Sequence, residues 1–179
     1  VPDPTLLLDA SEYAHFKLRN KMYNNPYLFF FQISPDNEKL ASKINKIVQL
    51  ECKIKLQESK QTSLYNMLIH KGLIGPDRWL SYIDQSSFVV TDSFHGLTFC
   101  LIFHKPFIVI LKTESIPALN SRIISLLDIV GLPHRALSHF EESKVVRICR
   151  ERIDWETVDK KIAIFRQKGI KFLNDSFLR

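Results

Sequence analysis

Phe88-Val-Val-Thr-Asp-Ser-Phe-His-Gly96, running on through the apolar residues to Phe103 and then into Pro106-Phe-Ile-Val-Ile-Leu111, is the stretch on which the fold turns. Residues 88–91 are a short β-branched and aromatic run, as expected of a buried strand. Residues 94–103 are almost wholly apolar and read as a buried helix, because Pro106 and the run after it open another strand. A strand, a helix and a strand joined by connections this short make a βαβ unit, which places its two strands parallel in one sheet.

The neighbouring segments extend the pattern in both directions. Tyr27-Leu-Phe-Phe-Phe-Gln-Ile33 is a second buried-strand run. Ser34-Pro35-Asp36 then offers an N-cap, a first-turn proline and an acid at the positive helix end. Leu40, Ala41, Ile44, Ile47 and Val48 keep the spacing that turns one helical face to a sheet. Lys53-Ile-Lys-Leu56 is expected as the next strand, and 57–73 fits no single pattern. Gly75-Pro76-Asp77 opens a helix that carries Trp79, Leu80 and Ile83 inward. Asn120 is expected to cap a helix through Ile123, Ile124, Leu126, Leu127 and Val130, stopped by Gly131 and Pro133. Asp154 is expected to cap a final helix over 154–178 that uses Val158, Ile162, Phe165, Phe172 and Leu173, with Ile153 and Val158 as a hydrophobic staple. The whole reads as one α/β domain over residues 1–179.

Composition narrows the function classes. The 179 residues are 45% hydrophobic, 25% charged and 11% aromatic, which excludes disordered, collagenous and low-complexity chains. A chain of this length buries about 70% of its unfolded surface, enough for one good core. Lys and Arg number 25 against 19 Asp and Glu, for a net charge of +6 that favours anionic substrates or a phospholipid headgroup layer. The basic residues are scattered among acids rather than aligned, so nucleic acid is not an expected partner. Cys52, Cys100 and Cys149 are far apart with no metal or redox spacing, which suits a reducing compartment. The longest apolar stretch, 99–111, is broken by His104, Lys105 and Pro106 and falls short of the ~20 residues that span a bilayer. The opening Val-Pro-Asp-Pro-Thr-Leu-Leu-Leu reads like the interior of a longer protein.

The chemistry concentrates at Thr91-Asp92-Ser93-Phe94-His95-Gly96, at the carboxyl end of a strand, where ligands bind in open parallel sheets. A helix starting there presents free backbone N–H groups and a positive dipole end. Ser93 can cap it and Gly96 allows close approach, so a phosphate or carboxylate would be held well. His95 sits in the first turn, where an imidazolium is disfavoured unless an anion lies beside it. A capped helix with an incidental histidine explains the same residues equally well. Arg122 falls in the first turn of the helix expected to start at Asn120, again a misplaced cation that an anion would rescue; a surface arginine paired with an acid is the plain alternative. His70, His104, His134 and His139 have no partner at ligand spacing, and His15 belongs to a short surface helix. No GxGxxG, Walker A or GxSxG pattern occurs.

Trp79-Leu80-Ser81-Tyr82-Ile83, the Phe88 to Gly96 segment and Phe103-His-Lys-Pro-Phe-Ile108 together resemble the polysaccharide pyruvyl transferase family. The likeness begins at Asp3-Pro4-Thr5 and continues through Asn120-Ser-Arg122, Leu126-Leu127 and Gly131-Leu132 to Phe172-Leu173. It departs at Leu97, where a small residue is common, and at Gly169, where a serine is usual. The resemblance implies a Rossmann-like three-layer sandwich with a mostly parallel sheet, the C-terminal domain of a glycosyltransferase-B-like two-domain enzyme whose N-terminal domain is absent from this sequence. It implies transfer of a pyruvyl group from phosphoenolpyruvate to two sugar hydroxyls as a cyclic ketal, in cell-surface polysaccharide synthesis.

That chemistry needs a proton at the enol methylene carbon and a cradle for an anionic donor. By resemblance His95 is the general acid, and the ordinary histidine pKa of about 6.5 suits proton delivery near neutrality. Ser93, Gly96 and Arg122 would cradle phosphate and carboxylate, with Asn120 beside them. Asp92 would join the donor site or orient the loop or the histidine. No metal and no cofactor beyond the phosphoenolpyruvate donor are implied. The acceptor would be a saccharide, free or lipid-linked, and the location cytoplasmic with peripheral contact at the inner membrane surface. The isolated chain is expected to fold without turning over. Two further functions fit the same layout: a glycosyltransferase-B-type domain holding a nucleotide-sugar, and a non-catalytic module of a polysaccharide assembly complex.

Overall fold

The computed structural model describes residues 2–34, 37–57, 75–112 and 117–177. The stretch after Gln57 that fits no single pattern, His70 and the Pro35-Asp36 pair lie outside them. Five strands, β1 (Tyr27–Phe31), β2 (Lys55–Gln57), β3 (Phe88–Thr91), β4 (Phe107–Ile110) and β5 (Ala136–Leu137), pair in the order β2-β1-β3-β4-β5. Every pairing is parallel, with Phe31 opposite Thr91 and Thr91 opposite Val109. The helices among the described residues are α1 (Ala10–Tyr13), α2 (Glu38–Cys52), α3 (Pro76–Gln85), α4 (Phe94–Ile102), α5 (Pro117–Val130), α6 (Glu142–Arg150) and α7 (Trp155–Phe177). A 3-10 turn at Pro4–Leu7 precedes them.

β1, β3 and β4 are buried on both faces, so their residues sort by period two into two cores, while Lys55 of the edge strand β2 is exposed. Phe29, Phe31, Val89, Phe107 and Val109 pack with Leu80 and Ile83 of α3, Leu97 and Leu101 of α4, Ile123 and Leu127 of α5 and Val158 of α7. Leu28, Phe88, Val90, Ile108 and Ile110 pack with Ala41, Ile44 and Val48 of α2 and Val145 and Ile148 of α6. This is a three-layer α/β sandwich of the Rossmann-like kind. Right-handed crossovers require it: the chain steps from β1 to β2 in one direction and back across the sheet in the other, which sends α2 and the later crossover helices to opposite faces.

The final helix starts as the sequence predicts. Asp154 accepts from the Thr157 N–H at 3.1 Å and the Thr157 hydroxyl at 2.7 Å. Four boundaries move. β2 covers Lys55–Gln57 rather than 53–56, because Lys53 is the left-handed residue that ends α2. β1 stops at Phe31 because the next N–H groups, of Ile33 and Ser34, bond the Asp92 carboxylate instead of a strand. α2 begins after Asn37 rather than at Ser34, and the Asn37 amide reaches across to the Leu111 carbonyl at 2.9 Å. α5 begins at Pro117, so Asn120 is not its cap; a proline with its fixed φ suits the first helical turn. Strand β5 and helix α6 escape sequence reading, since one has two residues and the other buries only Val145 and Ile148. Among the described residues no helix is long and apolar enough to cross a membrane.

Candidate functional site

The strand order reverses between β1 and β3, and the crevice outside the carboxyl ends of those strands is the usual ligand seat of such a sheet. Here Asp92 fills it. The residue is 1% exposed and its two carboxylate oxygens accept the Ile33 N–H at 2.6 Å and the Ser34 N–H at 2.8 Å. Burial pushes this carboxyl up, more than the two backbone bonds lower it. Asp92 therefore ties the end of β3 to the end of β1, as the loop-orienting alternative expects.

Next to it α4 starts as expected. Ser93 is buried and its hydroxyl accepts the Gly96 N–H at 3.2 Å, while its own N–H bonds the Thr91 hydroxyl at 3.0 Å. The Phe94 and His95 N–H groups are left without a protein acceptor among the described residues, the condition that lets a helix start take an anion. Gly96 has a tighter reason than ligand access. A Cβ there would stand 2.7 Å from the Thr91 hydroxyl oxygen, so glycine is what lets α4 seat on β3. Leu97, the departure from the small residue common at that place, is fully buried in the sheet core.

His95 and Arg122 come together, on a residue that sequence reading did not single out. Arg122 lies in the second turn of α5, so the dipole penalty argued for it does not apply. Its guanidinium sits over the Phe94 ring at 4.0 Å and donates to Oδ2 of Asp3 at 2.5 Å. The same oxygen lies 3.9 Å from Nε2 of His95, whose side chain is 56% exposed. The other carboxylate oxygen of Asp3 accepts the Thr5 N–H at 3.0 Å and the Thr5 hydroxyl at 2.6 Å. Burial pushes the Asp3 carboxyl up. The Thr5 bonds and the charges of His95 and Arg122 outweigh that, so the group is held below the usual carboxylate range. An acid before Pro-Thr is legible as a helix cap, but its meeting with a side chain 119 residues away is not.

Asn120 is engaged elsewhere. Its amide accepts the Lys112 N–H and donates to the Lys112 carbonyl, both at 2.9 Å, as a peptide pair would. A cleft of about 260 Å³ opens beside Asp3, between Phe94 of α4, Arg122 and Ser125 of α5 and Phe165 of α7. One end of it is charged and the other apolar. Among the described residues there is no group of three or more His, Cys, Asp or Glu placed to hold a metal.

A family model for polysaccharide pyruvyl transferases matches residues 1–111. The chain belongs to the polysaccharide pyruvyl transferase family. The match takes in the Asp3 turn, β1 through β4 and the whole Asp92 to Gly96 loop, while Asn120, Arg122 and the last two helices lie beyond it. No curated protein and no solved structure matches the chain. Family membership makes a transferase the expected activity; the donor, the acceptor and the roles of single residues rest on the site itself.

Proposed function

We propose that this chain carries the donor side of a transferase that moves a pyruvyl group from phosphoenolpyruvate to two hydroxyls of a saccharide as a cyclic ketal. One observation carries the proposal: His95 and Arg122, from different helices, face a single carboxylate oxygen beside the unpaired N–H groups at the start of α4. Two cations and a helix N-terminus suit a compact polyanion, and a guanidinium is well formed for carboxylate or phosphate.

In this reading the Phe94 and His95 N–H groups and Arg122 hold the donor's phosphate and carboxylate. His95, whose imidazole lies 3.9 Å from the Asp3 carboxylate, delivers a proton to the methylene carbon of the enol. The cationic centre that forms at the adjacent carbon takes the first sugar hydroxyl, inorganic phosphate leaves, and the second hydroxyl closes the ketal. Asp92, Ser93, Gly96 and Asn120 brace the loops around that seat. The acceptor is a saccharide, free or lipid-linked, and the +6 charge of the chain is compatible with work near an anionic membrane surface.

The test is phosphate release from phosphoenolpyruvate by the full-length protein in the presence of candidate oligosaccharides, with the ketal identified in the product by NMR. Phosphate release coupled to a new ketal methyl signal supports the reading. Release of a nucleotide from a nucleotide-sugar, with phosphoenolpyruvate untouched, would replace it with glycosyl transfer, and no turnover of either donor would favour a binding module.

A further inference from the structure

Resting on that reading, we infer that Asp3 is the positioning residue of the site: its carboxylate holds the His95 imidazole and the Arg122 guanidinium in one constellation. An acid beside a polyanionic donor is unfavourable unless its charge is answered. Here it is answered twice, by Arg122 at 2.5 Å and by His95 at 3.9 Å, and the carboxylate is divided between two tasks. Oδ1 serves the local turn through Thr5, and that oxygen alone satisfies the cap of the 3-10 turn. Oδ2 makes no bond within the turn and faces the Arg122 guanidinium and the His95 imidazole.

The segment that carries Asp3 is fixed from several sides, which a cap on a loose leader would not need. Leu6 is buried in the sheet core. The Arg166 guanidinium of α7 donates to the Leu6 carbonyl at 2.7 Å and the Leu8 carbonyl at 2.9 Å. The Tyr13 hydroxyl donates to the Thr5 carbonyl at 3.0 Å. Pro2 packs so closely on α7 that a Cβ at Gly169 would collide with its ring. The result is a carboxylate held rigidly opposite two side chains of which one is 56% and the other 54% exposed, the second resting on the Phe94 ring. A positioning partner of this kind acts through geometry, where a misplacement of about 1 Å costs on the order of 10²-fold.

The experiment is Asp3→Asn in the full-length protein, with Asp9→Asn, an exposed cap of α1, as control. Asparagine remains a good cap, so the turn should persist. Expected is a fall in kcat of about 10- to 100-fold, a KM for phosphoenolpyruvate changed by less than about threefold, and a control indistinguishable from wild type. Thr5→Val, which loosens the carboxylate without removing its charge, should lose kcat in the same direction by less, and stands in if Asp3→Asn does not fold. Unchanged kcat with a lowered KM would show that Asp3 only occupies the place of a donor anion and would overturn the assignment. So would a loss that disappears when the assay temperature is lowered below the variant's unfolding range. Should wild type fail to turn over phosphoenolpyruvate, the function reading falls while Asp3 is still judged by the ¹⁵N resonances of the His95 ring. A shift of the Nε2 signal in Asp3→Asn but not in Asp9→Asn sustains the positioning role, and no shift removes it.

Discussion

Two carboxylates stand near the carboxyl edge of the sheet, and their surroundings are opposite. Asp92 is buried, bonded only to backbone N–H groups, and its carboxyl is pushed up by desolvation. Asp3 sits at a cleft wall, shared between a local hydroxyl, the Arg122 guanidinium and the His95 imidazole, and its carboxyl is held down despite partial burial. Asp92 lies within the most informative loop of the sequence and turns out to brace two strands. Asp3 lies in the opening segment and meets the candidate acid and the candidate anion grip. A carboxylate whose partners are all main chain is holding the fold, whereas one that faces exposed cations is available to chemistry.

The largest effect expected on the Asp3 side of that contrast is His95→Gln, which keeps a hydrogen-bonding group but removes the transferable proton. Turnover of the full-length protein should fall about 10²- to 10⁴-fold, with donor binding retained, and the basic limb of the wild-type pH–rate profile should vanish. Near-normal turnover would move the acid elsewhere and leave Asp3 with nothing to position. On the Asp92 side the expectation concerns stability. Asp92→Ala leaves the Ile33 and Ser34 N–H groups without acceptors and should lower unfolding free energy by about 2–4 kcal/mol, read from denaturant midpoints. A smaller loss would mean that water replaces the carboxylate and that the β1 and β3 crevice is open after all.

Gly96→Ala probes the seam between these regions. The new methyl would meet the buried Thr91 side chain and should cost about 1–3 kcal/mol, with turnover reduced beyond what stability explains if α4 tilts. Arg122→Lys keeps the charge but loses the planar fork, and should raise the donor KM about tenfold with kcat little changed. The smallest effect is in the acid range. Asp3 has a folded value below its unfolded value of about 3.9, so its contribution is present above that pH and is lost as pH falls through the lower folded value. Asp92, with its folded value raised, does the reverse: stability attributable to it declines as pH rises through that window. Acid unfolding curves of Asp3→Asn and Asp92→Asn should therefore differ from wild type with opposite slopes.

Much of the architecture was legible because it follows from local pattern. A four-residue apolar strand, a serine that caps and a proline that reopens a strand are enough to set the βαβ unit around Asp92, and Asp154 marks its helix as predicted. Elements with little burial, such as β5 and α6, left no such pattern. Arg122 reads as a first-turn cation of a helix capped by Asn120, yet α5 begins at Pro117, and what brings Arg122 near His95 is the Asp3 carboxylate.

The sequence by itself therefore determined the α/β class, the parallel pairing and the capped start of α4, since each depends on residues within about a dozen positions of one another, and its motifs from Asp3 to Phe172 carry the polysaccharide pyruvyl transferase likeness. Only the tertiary structure decided which polar groups are already satisfied. It assigned Asp92 and Asn120 to the backbone and brought Asp3 to Arg122 across 119 residues. The physical reason is that hydrogen-bonding capacity is a property of a residue, but whether that capacity is used is settled by what the folded chain places within about 3 Å of it.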